Sequence, residues 1–160
     1  MSVFKSALFF TSILALSSCD DNSIVRGSVE VDPSGWSASE PAVIEFDLKE
    51  AETELDMFVD LRHNGDYPYR NLFLFMALEL PDGNVEKDTI ECLLADRMGH
   101  WLGSGNGFIF ENSIDHKVLF RYKDRSLKAG KYKLIFEQAM RTDQLIGVMD
   151  IGLTISPSVK

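Results

Sequence analysis

From Ala42 onward the side chains alternate with a period of two. Ile44, Phe46 and Leu48 face away from Glu45, Asp47 and Lys49, and Met57, Val59 and Leu61 share one parity against Phe58, Asp60 and Arg62. Such alternation is the mark of a half-buried strand. Residues 71–80 are different, with Leu72, Leu74, Met76 and Leu78 on one parity and Phe73, Phe75 and Ala77 on the other. A run that is apolar on both parities predicts a central strand rather than an edge. Turn residues bound it: His63-Asn64-Gly65-Asp66 and Tyr67-Pro68-Tyr69 before, Pro81-Asp82-Gly83-Asn84 after. Asn-Gly tolerates the positive φ of a tight turn.

Further strands are expected at 88–94, 108–111, 116–123, 131–140 and 147–155, with an early one near 28–31. Beyond the first 20 residues no helical period is sustained. About eight strands separated by turns predict an all-β, antiparallel β-sandwich, either jelly-roll or Ig-like. Leu127-Lys128-Ala129-Gly130-Lys131-Tyr132 supports this. Leu-x-x-Gly-x-Tyr at a strand start resembles the corner motif of sandwich domains, in which the tyrosine hydroxyl bonds back to the turn.

The chain begins with Lys5, an apolar run from Ala7 to Leu16, then Ser17, Ser18 and Cys19 followed by Asp20 and Asp21. A spanning helix needs about 20 apolar residues, so this run is too short to stay in a membrane. Its layout is that of a secretory signal. Leu16-Ser17-Ser18-Cys19 also resembles the bacterial lipobox, which implies cleavage after residue 18 and acylation of the Cys19 thiol. Several acyl chains, at about 0.8 kcal/mol per buried methylene, make a durable anchor. The expected organisation is a lipoprotein signal peptide at 1–18, a lipidated cysteine and tether at 19–41, and one sandwich domain at 42–160. Cys92 is then the one remaining thiol, so no intramolecular disulfide is expected despite export to an oxidising compartment.

The formal net charge is −9, which argues against nucleic acid or anionic headgroups as the main partners. The charges are also segregated. Glu40, Glu45, Asp47, Glu50, Glu52, Glu54, Asp56 and Asp60 stand against Lys49, whereas Lys117, Arg121, Lys123, Arg125, Lys128, Lys131 and Lys133 stand against Asp124. The chain reads as electrically two-sided, with the basic stretch either a solvated face or a surface that steers an acidic partner.

Catalytic chemistry finds little support. The glycine-rich stretch from Gly99 to Gly107 leads into Phe108-Ile109-Phe110, a strand, and so lacks the helix a phosphate cradle requires. In an extended segment its glycines and Trp101 share one side, where Trp101 packs across them or a second backbone approaches closely. His63, His100 and His116 share no metal-ligand spacing and read as separate surface histidines. Cys92, between Ile90 and Leu94 on one parity, reads as a small core residue rather than a nucleophile. No metal, cofactor or enzymatic activity is expected.

Taken in order, Tyr67-Pro68-Tyr69-Arg70-Asn71-Leu72-Phe73-Leu74-Phe75, Asp96 with Gly99-His100-Trp101-Leu102-Gly103-Ser104-Gly105, Gly130-Lys131-Tyr132, Glu137-Gln138-Ala139-Met140-Arg141 and the run from Leu145 to Leu153 resemble the GldH family of gliding motility lipoproteins of Bacteroidetes-type bacteria. The resemblance implies a non-enzymatic accessory of the gliding motility and type IX secretion envelope machinery, with no catalytic residues to carry over. Its partners would be other envelope proteins. The outer membrane is the expected location, its periplasmic face ahead of the cell surface. Asp20-Asp21 resembles a surface-export address, and such addresses are read by receptors rather than set by hydrophobicity.

The candidate partner-binding residues are Tyr67, Tyr69, Trp101, Arg121, Lys123, Arg125 and Arg141, the last expected to pair with Asp143 or Asp150 in an apolar neighbourhood. A second reading is a glycan-binding surface lipoprotein that uses Trp36 and Trp101 as stacking platforms.

Overall fold

The structure is a computed structural model that describes residues 22–52, 54–105, 113–120 and 126–158. Eleven strands are formed among the described residues: β1 (Val25–Glu30), β2 (Trp36–Ser37), β3 (Ala42–Leu48), β4 (Leu55–Asn64), β5 (Asn71–Glu79), β6 (Val85–Leu93), β7 (Ser104–Gly105), β8 (Ser113–Phe120), β9 (Gly130–Gln138), β10 (Gln144–Leu145) and β11 (Val148–Pro157). One sheet runs β1-β11-β4-β8-β7 and the other β3-β9-β5-β6, and β2 pairs with β10 across one end. Every pairing is antiparallel.

Three of the strands are two residues long. Over the remaining eight, the first sheet takes the first, eighth, third and sixth, and the second takes the second, seventh, fourth and fifth. This double Greek-key order is that of a jelly roll, which decides between the two architectures the periodicity left open.

The alternating positions point where the pattern requires. Met57, Val59 and Leu61 of β4 and Ile151, Leu153 and Ile155 of β11 meet Leu72, Leu74, Met76 and Leu78 of β5 and Leu134 and Phe136 of β9 in the space between the sheets. Fully burying a side chain of this size is worth about 1.5–3 kcal/mol relative to exposure. The sandwich corner forms as expected: the Tyr132 hydroxyl donates to the Lys128 carbonyl at 2.8 Å. The turn after β5 closes a hairpin into β6, with Leu80 N donating to Asn84 O at 2.8 Å.

Four expectations meet a different outcome. The early strand lies at Val25–Glu30 and pairs along its whole length with Asp150–Ile155, and Trp36 is a core residue at 1% exposure. Much of the stretch read as tether is therefore part of the sandwich, because Val25, Gly27 and Val29 alternate too briefly among polar neighbours to stand out in sequence. The turn at Asn64-Gly65 uses no positive φ. It is held by the Asn64 side chain, whose Oδ1 accepts Asp66 N at 3.0 Å, and it carries the chain from one sheet to the other.

Strand β5 is central, between β9 and β6, yet only one of its faces is covered. Phe73 and Phe75 stand exposed on the other. Finally, the acidic and basic segments do not make opposite sides: β3 lies beside β9 with Glu45 opposite Lys133 and Asp47 opposite Lys131, and Asp60 lies opposite Lys117. Cross-strand pairs of opposite charge favour that register. The strand expected at 108–111 lies outside the described residues.

Candidate functional site: an aromatic and imidazole cluster at one end of the sandwich

Strand β4 continues its buried parity from Leu61 to His63, and antiparallel β8 sets His116 opposite Leu61 and Ile114 opposite His63, so the two imidazoles meet on the diagonal inside the end of the sandwich. Their Nε2 atoms are 3.0 Å apart. His63 Nδ1 lies 2.8 Å from the Asn64 carbonyl, which can only accept, so that nitrogen carries the proton. In the neutral pair His63 Nε2 is then the acceptor and His116 Nε2–H the donor. Burial holds His63 below its ordinary range and pushes His116 down to about 4, with a further contribution from His63. The separate surface histidines expected from spacing are replaced, for this pair, by one buried unit; His100 is exposed, as expected.

Three residues singled out from the sequence gather around the pair. The Trp101 ring lies 4.4 Å from His63 and 6.3 Å from His116, and Tyr67 lies 5.2 Å from His63. Tyr69 packs edge-on against Tyr67 at 5.9 Å. Tyr67 is buried, donates its hydroxyl to the Asn71 carbonyl at 2.7 Å, and has its ionisation pushed up by that burial.

Trp101 is brought here by a short hairpin. Ala95 bridges to Trp101, and Leu102 N donates to Leu94 O at 2.8 Å. Asp96 closes the turn: its Oδ1 accepts backbone N–H groups from Met98 at 2.8 Å and His100 at 2.9 Å. The His100 N–H is the main reason its carboxyl stays below the usual range. Gly103 then runs so close to β8 that a Cβ there would overlap the Asp115 carbonyl and sit 2.9 Å from the His116 ring. The close backbone approach expected of this glycine-rich stretch is thus realised at Gly103.

Several candidates are placed elsewhere. Trp36 is buried, with Nε1 donating to the Glu40 carbonyl at 2.7 Å, so it offers no stacking face. Arg141 is exposed rather than embedded among apolar groups, and Asp150 belongs to Arg62, which grips it at 2.5 and 2.6 Å. Arg62 sits opposite Asp150 in the β4–β11 register, an arrangement invisible without the pairing. Cys19, Arg121, Lys123 and Arg125 lie outside the described residues. Cys92 is fully buried and burial pushes its thiol up to about 12, so it is no nucleophile at neutral pH. Among the described residues no group of three or more His, Cys, Asp or Glu side chains could hold a metal ion.

Four apolar side chains stand exposed on the segments around the cluster, alongside exposed Arg70, Arg97 and His100. Tyr69 is 39% exposed, Met98 81% and Leu102 57%, and Ile146 is 43% exposed beside Gly147, which packs on the Tyr67 backbone. The imidazoles are committed to each other by their hydrogen bond and are flanked by Tyr67 and Trp101. Both were legible in principle, since His63 extends the parity of Met57, Val59 and Leu61 and His116 shares that of Ile114, Val118 and Phe120.

The strand order and pairing define an all-β jelly-roll domain. Residues 23–155 match the family model described as GldH lipoprotein, and the chain belongs to that family. It is 30% identical over 164 positions to the gliding motility lipoprotein GldH homolog of Christiangramia forsetii, covering 98% of each chain. It is 31% identical to the gliding motility lipoprotein GldH of Flavobacterium johnsoniae, over 97% of this chain and 98% of that one. Among solved structures it is similar to a family 35 carbohydrate-binding module in complex with a glucuronic acid-containing disaccharide. That likeness has a TM-score of 0.44 and 11% identity, over 84% of this chain and 76% of the other. A family 35 module from Clostridium thermocellum gives a TM-score of 0.40 at 8% identity, over 81% and 89%.

Proposed function

We propose that the protein is a non-enzymatic, lipid-anchored accessory of the gliding motility and type IX secretion machinery that works through protein–protein contacts at the aromatic end of its sandwich. Cleavage after residue 18 and acylation of Cys19 attach it to the envelope, at the outer membrane and on its periplasmic face. The residues before β1 act as the remaining tether. The observation that carries the reading is the exposure of Tyr69, Met98, Leu102 and Ile146 on the segments around the buried Tyr67, His63 and His116. Apolar side chains held this far into solvent on a hydrogen-bonded hairpin mark an interaction site. Membership of a family of motility lipoproteins supplies the setting.

The test places a photo-crosslinking side chain at Met98 in cells that depend on the full-length protein. Crosslinks to envelope components of the motility or secretion apparatus are expected, and the Met98→Asp/Leu102→Asp double variant should lose both the crosslink and the phenotype while remaining acylated. If that double variant is folded and anchored yet leaves spreading and secretion intact, the reading fails.

A further inference from the structure

The outer faces of the two sheets are unlike. On the five-stranded sheet the outward side chains satisfy one another: Arg62 grips Asp150, Thr154 donates to Asp60, Ser158 donates to Asp56 at 2.8 Å, and Lys117 lies over the Phe58 ring at 4.4 Å. On the four-stranded sheet the register aligns Glu137, Phe75 and Thr89 in one row and Ile135, Ala77 and Lys87 in the next. Phe75 is 53% exposed, Phe73 stands two residues away on the same face, and Leu93 lies one strand over. Beside Phe75 is a depression of about 510 Å³ bounded by Ala77, Lys87, Thr89, Ile135 and Glu137.

We infer that this face is the interface of a symmetric homodimer. Two features make it complementary to itself. Glu137 and Lys87 meet no opposite charge within the chain among the described residues, and they stand at opposite corners of the patch, about 12 Å apart from strand spacing and rise. A two-fold axis lying in the interface, between those corners, sets Glu137 of each copy against Lys87 of the other. The same axis passes between Phe75 and Ala77. It sets the two Phe75 rings side by side across the axis, each nearest Thr89 of the other copy, so one surface supplies both halves of the apolar centre, as an isologous contact requires.

A second copy supplies both counter-charges at that diagonal from the same two residues. The low charge and aromatic content at the centre, with ionised groups at the margin, is the usual layout of such an interface. This surface is distinct from the aromatic end, and the inference stands apart from the envelope role.

The experiment measures self-association of the full-length acylated protein in detergent by sedimentation. A dimer is expected, and Phe75→Asp should make it a monomer. Glu137→Lys and Lys87→Glu should each weaken association at least tenfold by setting like charges opposite one another. Combining them reverses both partners and should bring the dimer back to within about threefold of the original. A wild-type monomer up to 100 µM, roughly the range in which weak contacts still register, overturns the inference. So does a double variant no better than the singles, which would put a different protein, or another face, at this contact. Motility is not the readout, so failure here leaves the envelope role to its own test.

Discussion

Acidification should destabilise the protein through the His63–His116 pair. The folded pair holds one proton on each ring, and the bond between the two Nε2 atoms leaves no room for a second proton on both. His63 Nδ1 is held by the Asn64 carbonyl, and His116 Nδ1 lies against Gly103, where an added Cβ would come within 2.9 Å. Tyr67 and Trp101 pack on the pair, and the described contacts bring no carboxylate to either ring to neutralise an imidazolium. Both rings are therefore harder to protonate in the folded chain than in the unfolded one.

Because the folded values are lowered, the contribution is fully present above the unfolded value of 6.5 and is lost as pH falls toward about 4, where His116 titrates in the folded state. At about 1.4 kcal/mol per unit, His116 alone accounts for at most about 3.5 kcal/mol over that window. Carboxylates titrate in the lower part of the same range, so the measurement is a difference. Urea midpoints followed by far-UV circular dichroism at pH 7.5, 6.5, 5.5 and 4.5 are compared between the natural protein and His116→Gln. The glutamine amide can still donate to His63 Nε2 but does not titrate. The variant should lose most of the excess slope between pH 6.5 and 4.5. Identical slopes, or a folded-state His116 ring resonance that titrates near 6.5, would refute the assignment of a neutral buried pair.

Two other outcomes follow from particular contacts. Gly147 holds a φ of 86° and a Cβ there would lie 2.5 Å from Tyr67 N and 2.7 Å from its Cα, all rigid backbone; Gly147→Ala should cost about 2–4 kcal/mol in chemical denaturation, from the left-handed backbone and the overlap together. Cys19→Ala should accumulate an uncleaved or soluble precursor with no fatty acyl label in detergent phase partitioning, since no second cysteine lies near the proposed cleavage site.

Local pattern alone was enough for the longer strands after Pro41 among the described residues and for the kind of fold. Side chains that alternate in polarity can bury one face only as strands, and that constraint acts within seven to ten residues, as in Ala42–Leu48, Leu55–Asn64 and Gly130–Gln138. The corner at Tyr132 and the burial of Cys92 are of the same local kind, and the order of motifs along the chain was enough to suggest the family. Everything that depends on which strand lies beside which was beyond reach. The jelly-roll order, the cancelling of acidic β3 by basic β9, and the pairing of Arg62 with Asp150 are all consequences of register between segments far apart in the chain, as Val25 and Ile155 are.

The same holds for the face left open by β5. Its double apolar parity suggested cover on both sides, but a two-layer sandwich covers each sheet once, so Phe73 and Phe75 are outward whatever their hydrophobicity. His63 and His116 were read apart because a hydrogen bond between neighbouring strands leaves no spacing signature along the chain, whereas Trp36, set among prolines and glycines, was drawn into the core by the closing pair of β2 and β10.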